Sequence, residues 1–385
     1  MRNPETPHQF IKVDGISITK LACDLLQTMP PNQDIAFSPL SIFSCLAMTY
    51  AGADGNTAKQ MHNTLHIQAD NNIHQIIQNI INAIQGSTDR YGYTFKAANR
   101  LFFSNNYNLL SDFLRLTKAH YNAQPQGLDY NNATQAAKTI NTWVENQTAN
   151  KIKDLIPASG INPLTRLILV NALYFKGNWQ DKFDKEYTRK ANFRVNNKTT
   201  ISVQMMSISE KFNYIADRSI GFQMVELPYS YDKLCMYIIL PKDVEGINSL
   251  CKQINSQNLR QWMGQMSKGI EIKLSLPRFK ITFDTTLSSM LQSLGMHDAF
   301  DESRSNFSKM SVASDLYISE VYHKTFIEVN EEGTEAAAAT GVAMFTLAMP
   351  MPPEPMIVDH PFIFMIYDKR SDAILFMGKI YNPKE

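Results

Sequence analysis

The sequence predicts an α+β fold in a single domain, on three observations. Apolar residues recur at helical spacing as far as about Leu155. Beyond that point the pattern turns to continuous or strictly alternating apolar runs, which are strand signatures. No Gly/Ser linker and no repeat with a period of roughly 20–50 residues divides the chain. At about 100–200 residues per domain, 385 residues leave room for two or three units. The missing linker decides for one, and helices first with strands later places it in the α+β class.

The elements follow in order. Ile18, Leu21, Ala22, Leu25, Leu26 and Met29 share a helical face, and Pro30-Pro31 stops that helix. Ser41 is expected to cap a second helix running to about Ala51, with Ile42, Leu46 and Ala47 inward. Apolar faces at 58–65 and 73–84 predict two more. A longer helix is expected over 134–155, with Ile140, Trp143, Val144, Ile152 and Leu155 on one face. The continuous run at 167–175 (LILVNALYF) predicts a strand covered on both sides, and 235–240 (CMYIIL) reads the same way before Pro241. Ile270, Ile272, Leu274 and Leu276 alternate as a half-buried strand does. Residues 319–330 are expected to be extended. Residues 361–368 and 373–381 form a hairpin turning near 369–372.

Composition bounds the function. Apolar residues make up 44% and charged residues 19%, enough for a large core and unlike a disordered chain. Lys+Arg number 37 and Asp+Glu 36, a net charge of +1 that excludes wide electrostatic binding to nucleic acid or a membrane surface. No apolar run reaches the roughly 18 residues of a spanning helix. Cys23, Cys45, Cys235 and Cys251 contain no CxxC, so buried free thiols are expected rather than a zinc site or disulfides. The N-terminal MRNPETPHQF lacks the apolar stretch of a signal peptide, so the chain either has no leader or has lost one. Asn132, Asn146, Asn197 and Asn306 head glycosylation sequons, a number near chance in so Asn-rich a chain.

Enzyme signatures are missing. The chain has no GxSxG, HExxH, Walker A or GxGxxG motif. His62 and His66 form an i, i+4 pair but have no third ligand nearby in sequence. The expectation is therefore a protein that is not an enzyme and needs no metal or cofactor.

One segment is unusual. Glu331, Glu332, Gly333, Thr334, Glu335, Ala336, Ala337, Ala338, Ala339 and Thr340 lead into Gly341, an apolar stretch to Met349, and prolines at 350, 352, 353 and 355. Local propensity allows a short Ala-rich helix capped by Thr334, then a Pro-rich linker. Against that, the strand-like 319–330 runs straight into the segment, the Ala run has no large apolar anchor, and 325–368 contains no Lys or Arg. In an extended chain Thr334, Ala336, Ala338 and Thr340 share one face and Glu335 takes the other. Such a segment can be exposed in one state and accommodated inside a sheet in another.

Eight stretches, in order, carry a resemblance: 37–42 (FSPLSI), 51–61 (AGADGNTAKQM), 140–145 (INTWVE) with Thr148 and Ile152, 170–177 (VNALYFKG) with Trp179, 276–279 (LPRF), the hinge at 331–341, 359–362 (DHPF) and 376–379 (FMGK). Together they resemble the serpin family nearly end to end. The resemblance implies one domain over 1–385, with three β-sheets, about nine helices and an exposed reactive-centre loop over about 333–357. In that family a protease attacks the loop and forms an acyl-enzyme. The freed loop then inserts into the main sheet and carries the protease with it. The hinge from Gly333 to Thr340 is similar to the inhibitory pattern. Counting the family spacing from Gly333 places the scissile bond at Leu347–Ala348, with Phe345 the nearest alternative. Leucine suits a hydrophobic specificity slot. The implied partners are chymotrypsin, cathepsin G or elastase-like enzymes; trypsin and thrombin find no Lys or Arg in this loop. Alternatives are a non-inhibitory serpin acting as carrier, chaperone or storage protein, and a cross-class inhibitor of cysteine proteases.

The resemblance also implies roles for other residues. Ser38, Ser41, Asn171 and His323 match a polar cluster beneath the main sheet, where strands part for the loop; each also reads as an ordinary satisfied core residue. Trp179, Arg278 and Glu331 match positions where the loop enters the sheet. As a surface ion pair, Arg278 and Glu331 would contribute only about 0–1 kcal/mol. Trp143 and Trp262 read as core. Residues 71–87 carry no Lys or Arg, so no heparin activation is expected there. A monomer is expected, and both chain ends, before Gly15 and over 378–385, lean toward an extracellular member.

Overall fold

The computed structural model describes residues 15–68, 72–85, 92–121, 123–332 and 352–384. Among these, α1 (Ile16–Thr28) buries Ile18, Leu21, Ala22, Leu25 and Leu26, the face its spacing predicts. In α2 (Pro39–Tyr50) the cap is Ser38, not Ser41. The Ser41 N–H donates to the Ser38 hydroxyl oxygen at 3.2 Å, and Pro39 opens the helix. Proline has no N–H and suits only the first turn, so it fixes the start there. α3 (Gly55–Thr64) and α4 (Ile73–Gln85) lie close to the expected spans. α5 (Ser111–Tyr121), which the sequence reading passed over, follows.

The long helix is shorter than expected. α6 (Ala133–Gln147) ends where the Thr148 hydroxyl donates back to the Val144 carbonyl at 2.8 Å. Ala149, Asn150 and Asp154 then take positive φ (50°, 59° and 49°), which no helix continues through. Ile152 and Leu155 are buried as expected, but on a returning segment. Three short helices complete the set, α7 (Ile247–Gln253), α8 (Ser256–Gln265) and α9 (Ser288–Ser293).

The strands are β1 (Ile35–Phe37), β2 (Tyr93–Ser104), β3 (Gln126–Leu128), β4 (Leu167–Gly177), β5 (Arg189–Arg194), β6 (Thr200–Asp217) and β7 (Phe222–Pro228). They continue as β8 (Leu234–Pro241), β9 (Ser267–Pro277), β10 (Phe279–Thr286), β11 (Ile318–Val329), β12 (Glu354–Ile357), β13 (Phe362–Asp368) and β14 (Ala373–Ile380). One sheet has the order β10-β11-β4-β2-β3. The remaining strands run β1-β14-β13-β8-β7-β6-β9-β12, with β5 on β6. The long β6 pairs with β9 as far as Tyr214 and with β7 from Asn213, so two sheets join through it. With the five-stranded sheet these make the three that were expected.

The five-stranded sheet is a middle layer. On its outer face Ala98, Phe102, Ile168, Val170 and Ala172 meet Ala136, Ala137, Ile140 and Val144 of α6. On its inner face Leu167, Leu169, Leu173 and Phe175 join a core shared with α2 and the β13–β14 hairpin. Alternate residues of β4 are thus buried on opposite sides, which is why its sequence reads as an unbroken apolar run. All four cysteines are buried and unpaired, and burial pushes the Cys23 and Cys45 thiols up to about 12. Trp262 is core, packed on Phe222 at 4.5 Å. Trp143, expected in the core, is half-buried and lies under the Arg100 guanidinium.

Gly378 marks the tightest approach in the hairpin. A Cβ there would stand 2.0 Å from the Ile35 carbonyl oxygen and 2.6 Å from the Phe364 ring. Gly378→Ala is expected to lower unfolding stability by about 1–3 kcal/mol through overpacking. Urea unfolding checks this; a variant as stable as the parent would mean that β1 and β14 can separate at little cost.

Candidate functional site

The candidate site is the seam between β4 and β11 and the anchor above it. The two strands run parallel, with Leu167 opposite Ile318; the register then shifts by one residue between Ile318 and Glu320 and runs unbroken from Ile168 opposite Glu320 to Phe175 opposite Ile327. Across the middle of the inner face runs one polar row: Thr285, His323, Asn171 and Asn99 are successive partners on β10, β11, β4 and β2.

Hydrogen bonds join three of these, His323, Asn171 and Asn99, into a circuit with the start of α2. The Ser38 N–H donates to His323 Nε2 at 3.2 Å, so Nε2 carries no proton. The proton therefore sits on Nδ1, which donates to Asn171 Oδ1. Asn171 Nδ2 donates to Asn99 Oδ1 at 2.9 Å, and the Ser41 hydroxyl donates to the same oxygen at 2.7 Å. His323 is fully buried, and burial lowers its pKa to about 3. Parting the strands would break the His323–Asn171 bond and leave buried polar groups unpaired, at about 1–3 kcal/mol each. The four residues expected to cluster, Ser38, Ser41, Asn171 and His323, do come together. Asn99, which joins Ser41 to Asn171, was missed. Its only signal was a lone amide inside 93–104, a strand the sequence reading did not assign.

The anchor lies past the end of β11. Glu331 is 2% exposed and accepts from Arg278 Nε at 2.7 Å and from the Thr188 hydroxyl at 2.5 Å. The Phe183 N–H holds its carbonyl at 3.1 Å. Burial pushes the Glu331 carboxyl up, but Arg278 and Thr188 outweigh it and hold the group below its ordinary value. The pair is thus buried on the acid's side, which corrects the surface-pair expectation. Glu332 pairs with Lys185. The Trp179 indole donates to the Asn330 carbonyl at 2.9 Å and stacks on Tyr229 at 4.5 Å. Thr188 and Lys185 were also missed, because their segment carries no pattern of its own.

The chain is tied down again at β12, which runs parallel to β9 with Glu354 opposite Ile272 and Ile357 opposite Ser275. Between these two ties stand Gly333, Thr334, Glu335, Ala336, Ala337, Ala338, Ala339, Thr340, Leu347 and Ala348, which lie outside the described residues.

Two outcomes follow from this geometry. Glu331→Gln is expected to lose about 1.5–3 kcal/mol at pH 7, the range of a hydrogen bond to a charged group. A carboxyl held low in the folded state stabilises above its ordinary value and loses that contribution as pH falls below it. The gap between variant and parent should therefore shrink as pH drops below the ordinary 4.5; a gap unchanged at low pH would contradict the pairing. His323, also held low, stabilises fully above its ordinary 6.5 and loses this as pH falls toward 3, by up to about 1.4 kcal/mol per pH unit. Urea titrations at pH 7 and 5 should show a steeper loss in the parent than in His323→Asn. Equal losses would mean that the ring titrates normally.

Comparison with known proteins agrees with this architecture. The family described as "Serpin (serine protease inhibitor)" matches residues 17–383. The leukocyte elastase inhibitor of Homo sapiens is 41% identical over 377 residues, covering 95% of this chain and 98% of that protein. Leukocyte elastase inhibitor A of Mus musculus is 42% identical over 376 residues, covering 95% and 98%. Among solved structures, uncleaved ovalbumin superposes with a TM-score of 0.86 at 30% identity, covering 96% of this chain and 99% of that one. Maspin gives 0.87 at 29%, covering 97% and 100%. With the seam, the anchored loop ends and a match across nearly its whole length, the chain belongs to the serpin family.

Proposed function

We propose that the protein is a suicide-substrate inhibitor of chymotrypsin-like serine proteases, cut at Leu347–Ala348. The observation that carries this is the direct pairing of β4 with β11, together with the fixing of the chain on either side of 333–351, at Glu331 and at β12. A segment leaving the top of β11 and folding back between the strands would run antiparallel to both. Insertion would replace one parallel ladder by two antiparallel ones, which are slightly more stable per residue. β4 is 11 residues long, so roughly that many new backbone pairs form, each contributing about 1 kcal/mol net. While both ties hold, the segment cannot reach the seam, and the five-stranded sheet persists as a kinetic trap.

The residues divide into roles on this reading. Ser38, Ser41, Asn171 and His323 keep the seam shut until strain opens it. Trp179, Arg278 and Glu331 hold the place where the inserting strand first turns in. The small residues Thr334, Ala336, Ala338 and Thr340 pass the seam face without steric or charge cost. Leu347 fills a hydrophobic slot in the protease, and the relatives named as leukocyte elastase inhibitors support a target of that kind. The protein acts as partner to the protease and catalyses nothing itself.

The test is incubation with chymotrypsin. An SDS-stable complex is expected, with the released peptide beginning at Ala348 by mass spectrometry. Thr334→Arg puts a long cation on the inserting face and is expected to convert the inhibitor into a substrate. Clean cleavage by chymotrypsin, cathepsin G and elastase without any complex would reject the proposal in favour of a non-inhibitory serpin. Complexes formed only with cysteine proteases would move the target class.

A further inference from the structure

Arg100 on β2 is held in a way that the strand itself does not require. Its guanidinium stands over the Trp143 ring at 4.2 Å and the Phe102 ring at 5.8 Å. One terminal nitrogen donates to Gln126 Oε1 at 2.8 Å. The Nε–H is buried with no hydrogen-bond partner, and among the described residues no carboxylate pairs with the group. A guanidinium cannot shed its charge, and a half-buried cation without a counter-charge costs free energy that an anion would offset.

A cavity of about 120 Å³ opens beside it, between α2, β2 and the ends of α4 and α6. Ser41, Ser44 and Asn99 supply polar wall; Met48, Phe95 and Tyr121 supply apolar wall. Arg100 is the one cation among the described lining residues. That single charge suits a monoanion, since a phosphate dianion calls for more. The planar fork of an arginine matches a carboxylate in particular. The apolar wall suits a short hydrocarbon tail and excludes a bare inorganic anion as the best fit.

We propose that this cavity is a binding site for a small organic carboxylate, its head on the Arg100 fork and its tail against Met48, Phe95 and Tyr121. The occupant lies against Ser41 and Asn99, two members of the circuit that joins α2 to β4.

Isothermal titration of the full chain at pH 7 with butyrate and hexanoate tests the site, with hexanol and hexylamine as matched controls. The carboxylates are expected to bind at millimolar concentration or better and the controls not to. Arg100→Gln should weaken hexanoate by at least about tenfold, equivalent to 1.4 kcal/mol. Arg115→Gln, a surface arginine paired with Asp112 on α5, should leave binding unchanged. Should Arg100→Gln fail to fold, Ala97→Leu fills the cavity from its rim with Arg100 intact and should weaken hexanoate similarly. Hexanol binding as well as hexanoate, no binding by either carboxylate, or hexanoate binding untouched by both variants would overturn the site.

Discussion

The parallel contact between β4 and β11 is the constraint on which the rest of the molecule depends. It places two strands that are remote in sequence side by side, buries one face of each under α6 and the other against α2, and leaves the chain emerging from the top of β11. A parallel ladder is the weaker of the two pairings. Here it is reinforced by the closed circuit from Ser38 through His323, Asn171 and Asn99 back to Ser41. Packing and polar bonding therefore meet at one line, and that line is where a further strand would fit.

The polar row is costly in the way buried networks are: fully satisfied it rigidifies, and partly satisfied it is worse than an apolar core. The His323–Asn171 bond is the link of the circuit that crosses between β11 and β4, and it exists only while those strands stay together. The neutral His323 accepts from one side and donates to the other, so the sheet has a single arrangement in which ring, amides and hydroxyls all agree. Glu331 plays a comparable part at the top. Its carboxylate is tolerated at 2% exposure only because Arg278 and Thr188 reach it. Both devices make the closed arrangement specific.

Much of this was legible in the sequence, for physical reasons that differ by element. β4 and β8 announced themselves because strands covered on both faces need unbroken apolar runs, and α1 because Pro30-Pro31 ends it cleanly. The resemblance supplied Ser38, Ser41, Asn171, His323, Trp179, Arg278 and Glu331, and the structure brings each set together. What failed was local. The cap of α2 was misplaced because reading Ser41 as the cap leaves out Pro39, which fixes the helix start one residue after Ser38. α6 was overrun because Ile152 and Leu155 keep helical spacing on a chain that has already reversed. Asn99 was invisible because a register partner cannot be seen before both strands are paired.

The central claim is that the closed five-stranded sheet stores free energy released when the tied segment is cut. The most direct measurement is the thermal midpoint of the protein before and after a single cut between Gly341 and Pro350, with both fragments retained. The account predicts a large upward shift, well beyond the 2–4 °C that about 1 kcal/mol produces in a chain of some 150–250 residues. A cut molecule that melts at or below the midpoint of the intact one would contradict it.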